Sequence, residues 1–479
     1  MKKILFAAAA ALAITSCTND LSDLNVNGKA PETVPAGALF ANATMGYYDF
    51  VSVQNVNQNN LRLWAQHWTQ TTYTDESNFQ LNERDVNGSA FVRMYTTVIR
   101  DCEEARTALA TTPATADQKV AAEGAIEVME VLAYSFLVDL FGDVPYSEAL
   151  SETNVPAYDD DAAIYGDLLD RLDAAVAQLN GTNAFGSSDI IYGGDAAAWK
   201  KAAYSLMLRM AVRMIDADPT AAQSWGEKAI AGGVFMSSAD DMRLFYASAP
   251  PHTHPMWETL VQSGRTDFVA SATLGDVLNA LNDPRRGAFF KSNGGADSVI
   301  GAPQGYQVNY YDYSQPGTAL EDPTWSHAAI DYVEVEFLMA HAAVAGWSGA
   351  GDAATHYNAG ITASMEEWLG AGVDASAYLA QPAVAYDAAT AGLQIGVQKW
   401  IAMYSNAPEA YAAVRQYDLP METAALAGTV TPNRYSYPLD EYSLNNANVS
   451  AAAAKFGGDD YQISLLKLSK NYLLLALYR

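Results

Sequence analysis

Apolar side chains recur at helical spacing through most of this 479-residue chain, and that repetition limits the fold more than any other feature. Residues 118–141, QKVAAEGAIEVMEVLAYSFLVDLF, place Ile126, Met129, Leu132, Phe136 and Leu140 on one stripe. Residues 162–180 repeat the pattern with Ile164, Leu168, Leu172 and Val176, and 196–216 follow after a break rich in Gly, Ser and Asn. Further helices are predicted over 328–346 and 352–369, joined by Gly349-Ala350-Gly351, and over 392–404 and 408–416. Cys102 shares a stripe with Val98, Ala105 and Leu109, which makes it a small core residue.

These segments pair as hairpins: 94–110 with 118–141, 162–180 with 196–216, 328–346 with 352–369, and 392–404 with 408–416. The unit length and the abundant Ala predict an all-α fold of tetratricopeptide-like hairpins, near 94–216 and 328–416. Two stretches, 51–90 and 292–326, carry no helical period. Long irregular segments within a compact domain are uncommon and often functional, so both are expected to form a loop-rich ligand-binding half.

The N-terminus is read as a processing signal. Lys2 and Lys3 precede an apolar run, Ile4 to Ile14, that is too short to span a bilayer. Ile14-Thr15-Ser16-Cys17 has the form of a bacterial lipobox, so residues 1–16 are expected to be a signal peptide and Cys17 an acylated anchor. Several acyl chains together hold a protein on a membrane almost permanently. Residues 17–35 then read as a polar tether, and 36–479 as a single domain. A net charge of −28 repels phosphate backbones and argues against nucleic-acid binding.

Recognisable catalytic and cofactor motifs are missing from the sequence. The sequence holds no H-E-x-x-H, P-loop, G-x-G-x-x-G or EF-hand loop, and no metal site or cofactor is expected. His252-Thr253-His254 lies between prolines and reads as a turn. Asp159-Asp160-Asp161 reads as helix-capping charge. What does stand out is clustered aromatics and amides. Trp64, Trp68, Tyr73 and Asn78 fall in one irregular stretch, and Tyr306, Tyr310, Tyr311, Tyr313 and Trp325 in the other. Such side chains stack on sugar faces and bind hydroxyls, and they suit peptides equally. The i,i+4 spacing of Trp64 and Trp68 also fits the core face of a helix.

In order along the chain, QHWTQTTYTDESNF (66–79), LFGDVPYSEAL (140–150), AAWKKAAYSLMLRMAVRM (197–214), DYVEVEFLMAHAA (331–343), QKWIAMY (398–404) and RYSYPLDEYSLNNANVSAA (434–452) resemble the SusD/RagB family of nutrient-binding outer-membrane lipoproteins, in its SusD-like branch. The resemblance implies a helical fold and a surface lipoprotein that acts as the lid of a SusC-like TonB-dependent outer-membrane transporter. It implies binding of an oligosaccharide, or in some members a peptide, without chemistry. A surface glycoside hydrolase and a structural or adhesive lipoprotein are the alternatives. The C-terminal YQISLLKLSKNYLLLALYR departs from the family's usual tail, and its apolar run is too short to cross a bilayer.

Overall fold

The computed structural model describes residues 34–55, 57–293, 298–419, 421–426 and 431–458. The predicted signal peptide, Cys17 with its tether as far as residue 33, and the tail 461–479 lie outside the described residues.

The fold is all-α, with a few short strands. Helix α1 (Ala36–Ser52) buries Phe40, Ala43, Tyr47, Phe50 and Val51. Helix α2 runs from Val86–Arg93 through a π-helical stretch, Met94–Ile99, into Arg100–Ala108. It buries Cys102 completely, as its stripe predicts. Helix α3 (Ala116–Phe141) opens on a capping box between Thr115 and Gln118. It is buried almost all round over its C-terminal two-thirds, so its predicted single stripe understates how enclosed it is. Then come α4 (Asp161–Gln178), α5 (Ala196–Arg213), α6 (Pro219–Gly232) and α7 (Ala272–Ala280). The C-terminal half adds α8 (Tyr332–Val344), α9 (Ala353–Leu369), α10 (Ala391–Ala402), α11 (Ala407–Gln416) and α12 (Asn446–Lys455).

The hairpins α8–α9 and α10–α11 form as the sequence predicts. The first two expected hairpins are displaced by one helix, because the expected set lacks α1, although its Phe40, Ala43, Tyr47 and Phe50 recur at helical spacing, and α6, which buries only the small residues Ala222, Gly226 and Ala229. Helix α2 packs chiefly on α1, where Asn42 Nδ2 donates to Asp101 at 2.6 Å; α3 packs on α4, and α5 on α6. Close approach of α3 to α4 depends on Gly124, where a Cβ would lie 2.8 Å from Leu179 Cγ.

A buried ion network joins four of the helices. Arg209 of α5 pairs with Glu334 of α8 and, at 3.5 Å, with Glu409 of α11. Lys399 of α10 lies 3.3 Å from Glu334 and 3.6 Å from Glu409. Arg213 of α5 joins them at 2.5 Å from Glu409, and the three cations hold Glu409 well below the usual carboxylate range against its burial.

The strands are short and antiparallel: β1 (Trp68–Gln70) with β5 (Phe268–Ala270), β2 (Val144–Pro145) with β3 (Tyr158–Asp159), and β4 (Met242–Leu244) with β6 (His327–Ile330). In the β2–β3 turn the Asp159 carboxylate accepts from the N–H groups of Tyr146 and Ser147 at 3.0 and 2.8 Å. Of the three consecutive aspartates, Asp160 is the one that caps α4, accepting from Ala163 N–H at 3.2 Å. Lys455 supplies the counter-charge, at 2.5 Å from Asp143 and 3.3 Å from Asp160.

Candidate functional site

The first irregular stretch is not as loop-like as expected. It contains a helical turn, Leu61–Trp64, strand β1, and the start of α2. These elements carry both tryptophans inward. Trp64 is fully buried against Phe79, Tyr411 and Tyr435, and its indole N–H donates to the Glu76 carbonyl at 3.2 Å. Trp68 is equally buried on β1, where its N–H donates to the Tyr404 hydroxyl at 2.8 Å and the Arg62 guanidinium lies 4.8 Å from its ring. Neither is open to a ligand. The helix ends at Trp64, so the i,i+4 pair is core on two different elements.

Asn78 is also buried, and its role is to position others. Its Nδ2 donates to the Thr74 and Gly305 carbonyls, each at 2.8 Å, and its Oδ1 accepts from Leu426 N–H at 2.7 Å. One side chain therefore ties three loops together. Gly305 sits at φ +75°, and a Cβ there would lie 2.5 Å from the Asn78 amide oxygen, so this junction requires glycine. Gln304 reinforces it, donating from Nε2 to the Leu63 and Ser77 carbonyls at 3.1 and 3.2 Å. Gln66 binds Glu422 through both backbone groups, at 2.8 Å each, and accepts from the Thr273 hydroxyl at 2.5 Å.

On this frame the 304–308 segment runs beside 69–72, with Gly305 N–H donating to Thr69 Oγ1 at 3.2 Å and Val308 N–H to the Thr71 carbonyl at 3.0 Å. The exposed rings follow from it. Tyr73, Tyr306 and Tyr311 are 64%, 54% and 71% exposed, high values for rings that elsewhere in the chain are core. Tyr310 is half-buried with its ring edge-on to Tyr311 at 5.3 Å, and Tyr313 is half-buried. Trp325 is not part of this group: it lies half-buried against Trp368 of α9, ring centroids 5.0 Å apart.

Tyr73 holds a left-handed backbone, φ +52°, which a non-glycine residue adopts only at a cost. The guanidinium carbons of Arg84 and Arg265 each lie 5.8 Å from its ring centroid. Both arginines are themselves paired, Arg84 with Asp75 at 2.6 Å and with Glu76 at 3.0 Å, and Arg265 with Asp267. Thr72, Tyr73, Thr74 and Gln307 line a depression of about 340 Å³. Arg265 also lines a second one of about 380 Å³, together with Asn55, Asn57, Gln58, His252 and Glu258. The flanking arginines and this amide wall escape the sequence reading. The Asn/Gln-rich run from 54 to 60 is the one sequence signal that points to the wall.

The carboxylates in this region already have partners. Asp49 accepts from the Tyr246 hydroxyl at 3.2 Å, and burial pushes its carboxyl up to about 6. Glu258 accepts from Thr253 Oγ1 at 2.7 Å. His254 caps the helical turn Pro255–Trp257 by accepting from Met256 N–H at 3.0 Å, and burial pushes it down to about 3. The His-Thr-His motif is thus the turn its prolines predict. The surface offers exposed rings, amides and paired charges, which is the chemistry of holding hydroxylated ligands.

A family model described as "Starch-binding associating with outer membrane" matches residues 28–438. The chain belongs to the SusD-like family. Solved structures agree with this SusD-like fold. A chitin-binding protein is 26% identical with a TM-score of 0.75, over 90% of this chain and 99% of its own. A chitin-binding SusD homolog from Flavobacterium johnsoniae is 21% identical with a TM-score of 0.78, over 91% and 99%. A SusD-like protein from Bacteroides thetaiotaomicron is 23% identical with a TM-score of 0.77, over 90% and 98%. No curated protein matches the chain by sequence. The family is one of carbohydrate-binding proteins associated with the outer membrane. Among the described residues no helix is long and apolar enough to cross a membrane.

Proposed function

We propose that this SusD-like protein is a surface lipoprotein, acylated at Cys17, that captures an oligosaccharide and passes it, as a hinged lid, to a SusC-like TonB-dependent transporter. It performs no chemistry on the ligand. The observation that carries this reading is the set of exposed rings, Tyr73, Tyr306 and Tyr311, on loops fastened from beneath by Asn78, Gln304 and Gln66. Burial of an aromatic ring is favourable, so exposed rings on a rigid frame make a ready stacking surface for sugar C–H faces. The frame removes the ordering cost that a flexible loop would add on binding. The 26%-identical chitin-binding protein favours glycans over peptides and nominates N-acetylglucosamine oligosaccharides as the first probe.

The test is isothermal titration of the protein lacking residues 1–17 against a panel of neutral oligosaccharides, with chromatography of the mixture for products. Binding without product is expected. In the variant Tyr306→Ala/Tyr311→Ala, affinity for the best ligand should fall at least tenfold. Product formation, or unchanged affinity in that variant, would overturn the proposal.

A further inference from the structure

A groove of about 600 Å³ opens in the helical half and shares no lining residue with the two depressions at the tyrosines. Its walls are Glu103 and Arg106 of α2, Glu127 and Glu130 of α3, Arg171 of α4, and Leu150 of the β2–β3 turn. Glu130 faces it from a position only 1% exposed. One carboxylate oxygen, Oε2, accepts from Arg106 at 2.6 Å and from Arg171 at 2.5 Å. The other, Oε1, has no hydrogen-bond partner among the described residues. A buried acceptor left unpaired costs free energy that an incoming donor would recover.

The charges around the groove say which donor. Arg106 is shared among Glu103 at 3.5 Å, Glu123 at 3.1 Å, Glu127 at 2.8 Å and Glu130 at 2.6 Å. Arg171 is committed to Glu127 at 2.7 Å and to Glu130. Four carboxyl groups thus face two guanidiniums, each already bound on several sides. An anion would meet excess negative charge, whereas a cation would find acceptors to spare. Burial pushes the Glu130 carboxyl up to about 8 even between its two arginines, so a third cation would favour its ionised form.

The groove's edge is apolar. Leu150 is 48% exposed at φ +57°, and Val155 on the same turn is 52% exposed. An acidic slot beside an apolar shoulder suits a polypeptide better than a small free amine. We propose that this groove receives a lysine or arginine side chain of a protein partner, its cationic head on Glu130 and Glu103 and its aliphatic stem against Leu150.

The test titrates the full-length protein with the blocked peptide Leu-Ala-Arg-Ala-Leu and with its citrulline counterpart, which keeps the shape and loses the charge. The arginine peptide is expected to bind at least tenfold more tightly than the citrulline one. Glu103→Lys, at a half-exposed position, should abolish that preference without moving the thermal midpoint or oligosaccharide binding. Glu130→Gln should weaken it as well; should that variant fail to fold, Glu103→Lys decides alone. Equal affinity for the two peptides, no binding of either, or an undiminished preference in Glu103→Lys would overturn the proposal.

Discussion

The two halves of the molecule are held together by opposite means. In the helical half, side chains pack on helix neighbours, and the buried ions Arg209, Glu334, Lys399 and Glu409 lock four helices at one crossing. In the loop-rich half much of the fastening is done by neutral amides reaching backbone groups far away in sequence. Asn78 meets Gly305 across 227 positions and Leu426 across 348, and Gln66 meets Glu422 across 356. A helix satisfies its own backbone, so its side chains are free to pack; a loop does not, and side chains must do that work. The difference means that the two halves should fail differently when their fasteners are removed.

The largest effect is expected in the helical half. Arg209→Met removes the cation nearest Glu334 and leaves a fully buried carboxylate short of its main partner. Breaking one side of a buried ion pair costs roughly 3–5 kcal/mol, and urea unfolding should show a loss of that size. A loss below about 1 kcal/mol would show that Lys399 alone suffices, and that the helical lock is redundant. In the loop-rich half, Asn78→Ala strips partners from two carbonyls and one N–H. At about 1 kcal/mol per hydrogen bond, roughly 2–3 kcal/mol should be lost. Here oligosaccharide affinity should fall as well, because Tyr73 and Tyr306 lose their common anchor, whereas Arg209→Met should leave affinity intact under conditions where that variant remains folded.

Acid offers a finer contrast. Burial pushes His254, in the loop-rich half, down to about 3 and His341, on α8, down to about 4. Folded-state values below the unfolded one mean that the stability is complete above about 6.5 and is lost as pH falls toward those values. Each group should contribute about 1.4 kcal/mol per pH unit to that loss. His254→Gln and His341→Gln should therefore each flatten the pH dependence of unfolding between pH 6 and 4.5 by one proton. A smaller change for His254 alone would mean that its loop opens locally before the whole chain unfolds.

This contrast also explains what was legible in the sequence. The α8–α9 and α10–α11 hairpins could be read because periodicity is a local signal, and Cys102 could be placed in the core for the same reason. The partner of α5 could not, since α6 buries only the small residues Ala222, Gly226 and Ala229; the partner of α2 was legible, since Phe40, Ala43, Tyr47 and Phe50 of α1 recur at helical spacing. For the proposed site, composition pointed to the loops that carry exposed rings but did not separate those rings from buried fasteners. Trp64, Trp68 and Asn78 lie within sixteen residues of Tyr73, yet they are buried, and only the pairing of β1 with β5 and the meeting of Asn78 with Gly305 separate the two roles. Those contacts are non-local, so no window of sequence contains them.

The smallest expected stability effect is the one that best separates contact from fastener. Tyr73 sits at φ +52° with 64% of its surface exposed, so the fold gains little from its side chain and bears the cost of its backbone. Tyr73→Gly should relieve that strain by about 1 kcal/mol and forfeit two exposed cation–π contacts worth about 0.5–1 kcal/mol each. The two nearly cancel, and the thermal midpoint should move by no more than a few degrees. Oligosaccharide affinity should nevertheless drop at least tenfold. If Tyr73→Gly instead stabilises the protein and leaves affinity unchanged, the strained ring serves neither the fold nor the ligand, and the binding face must be drawn around Tyr306 and Tyr311 alone.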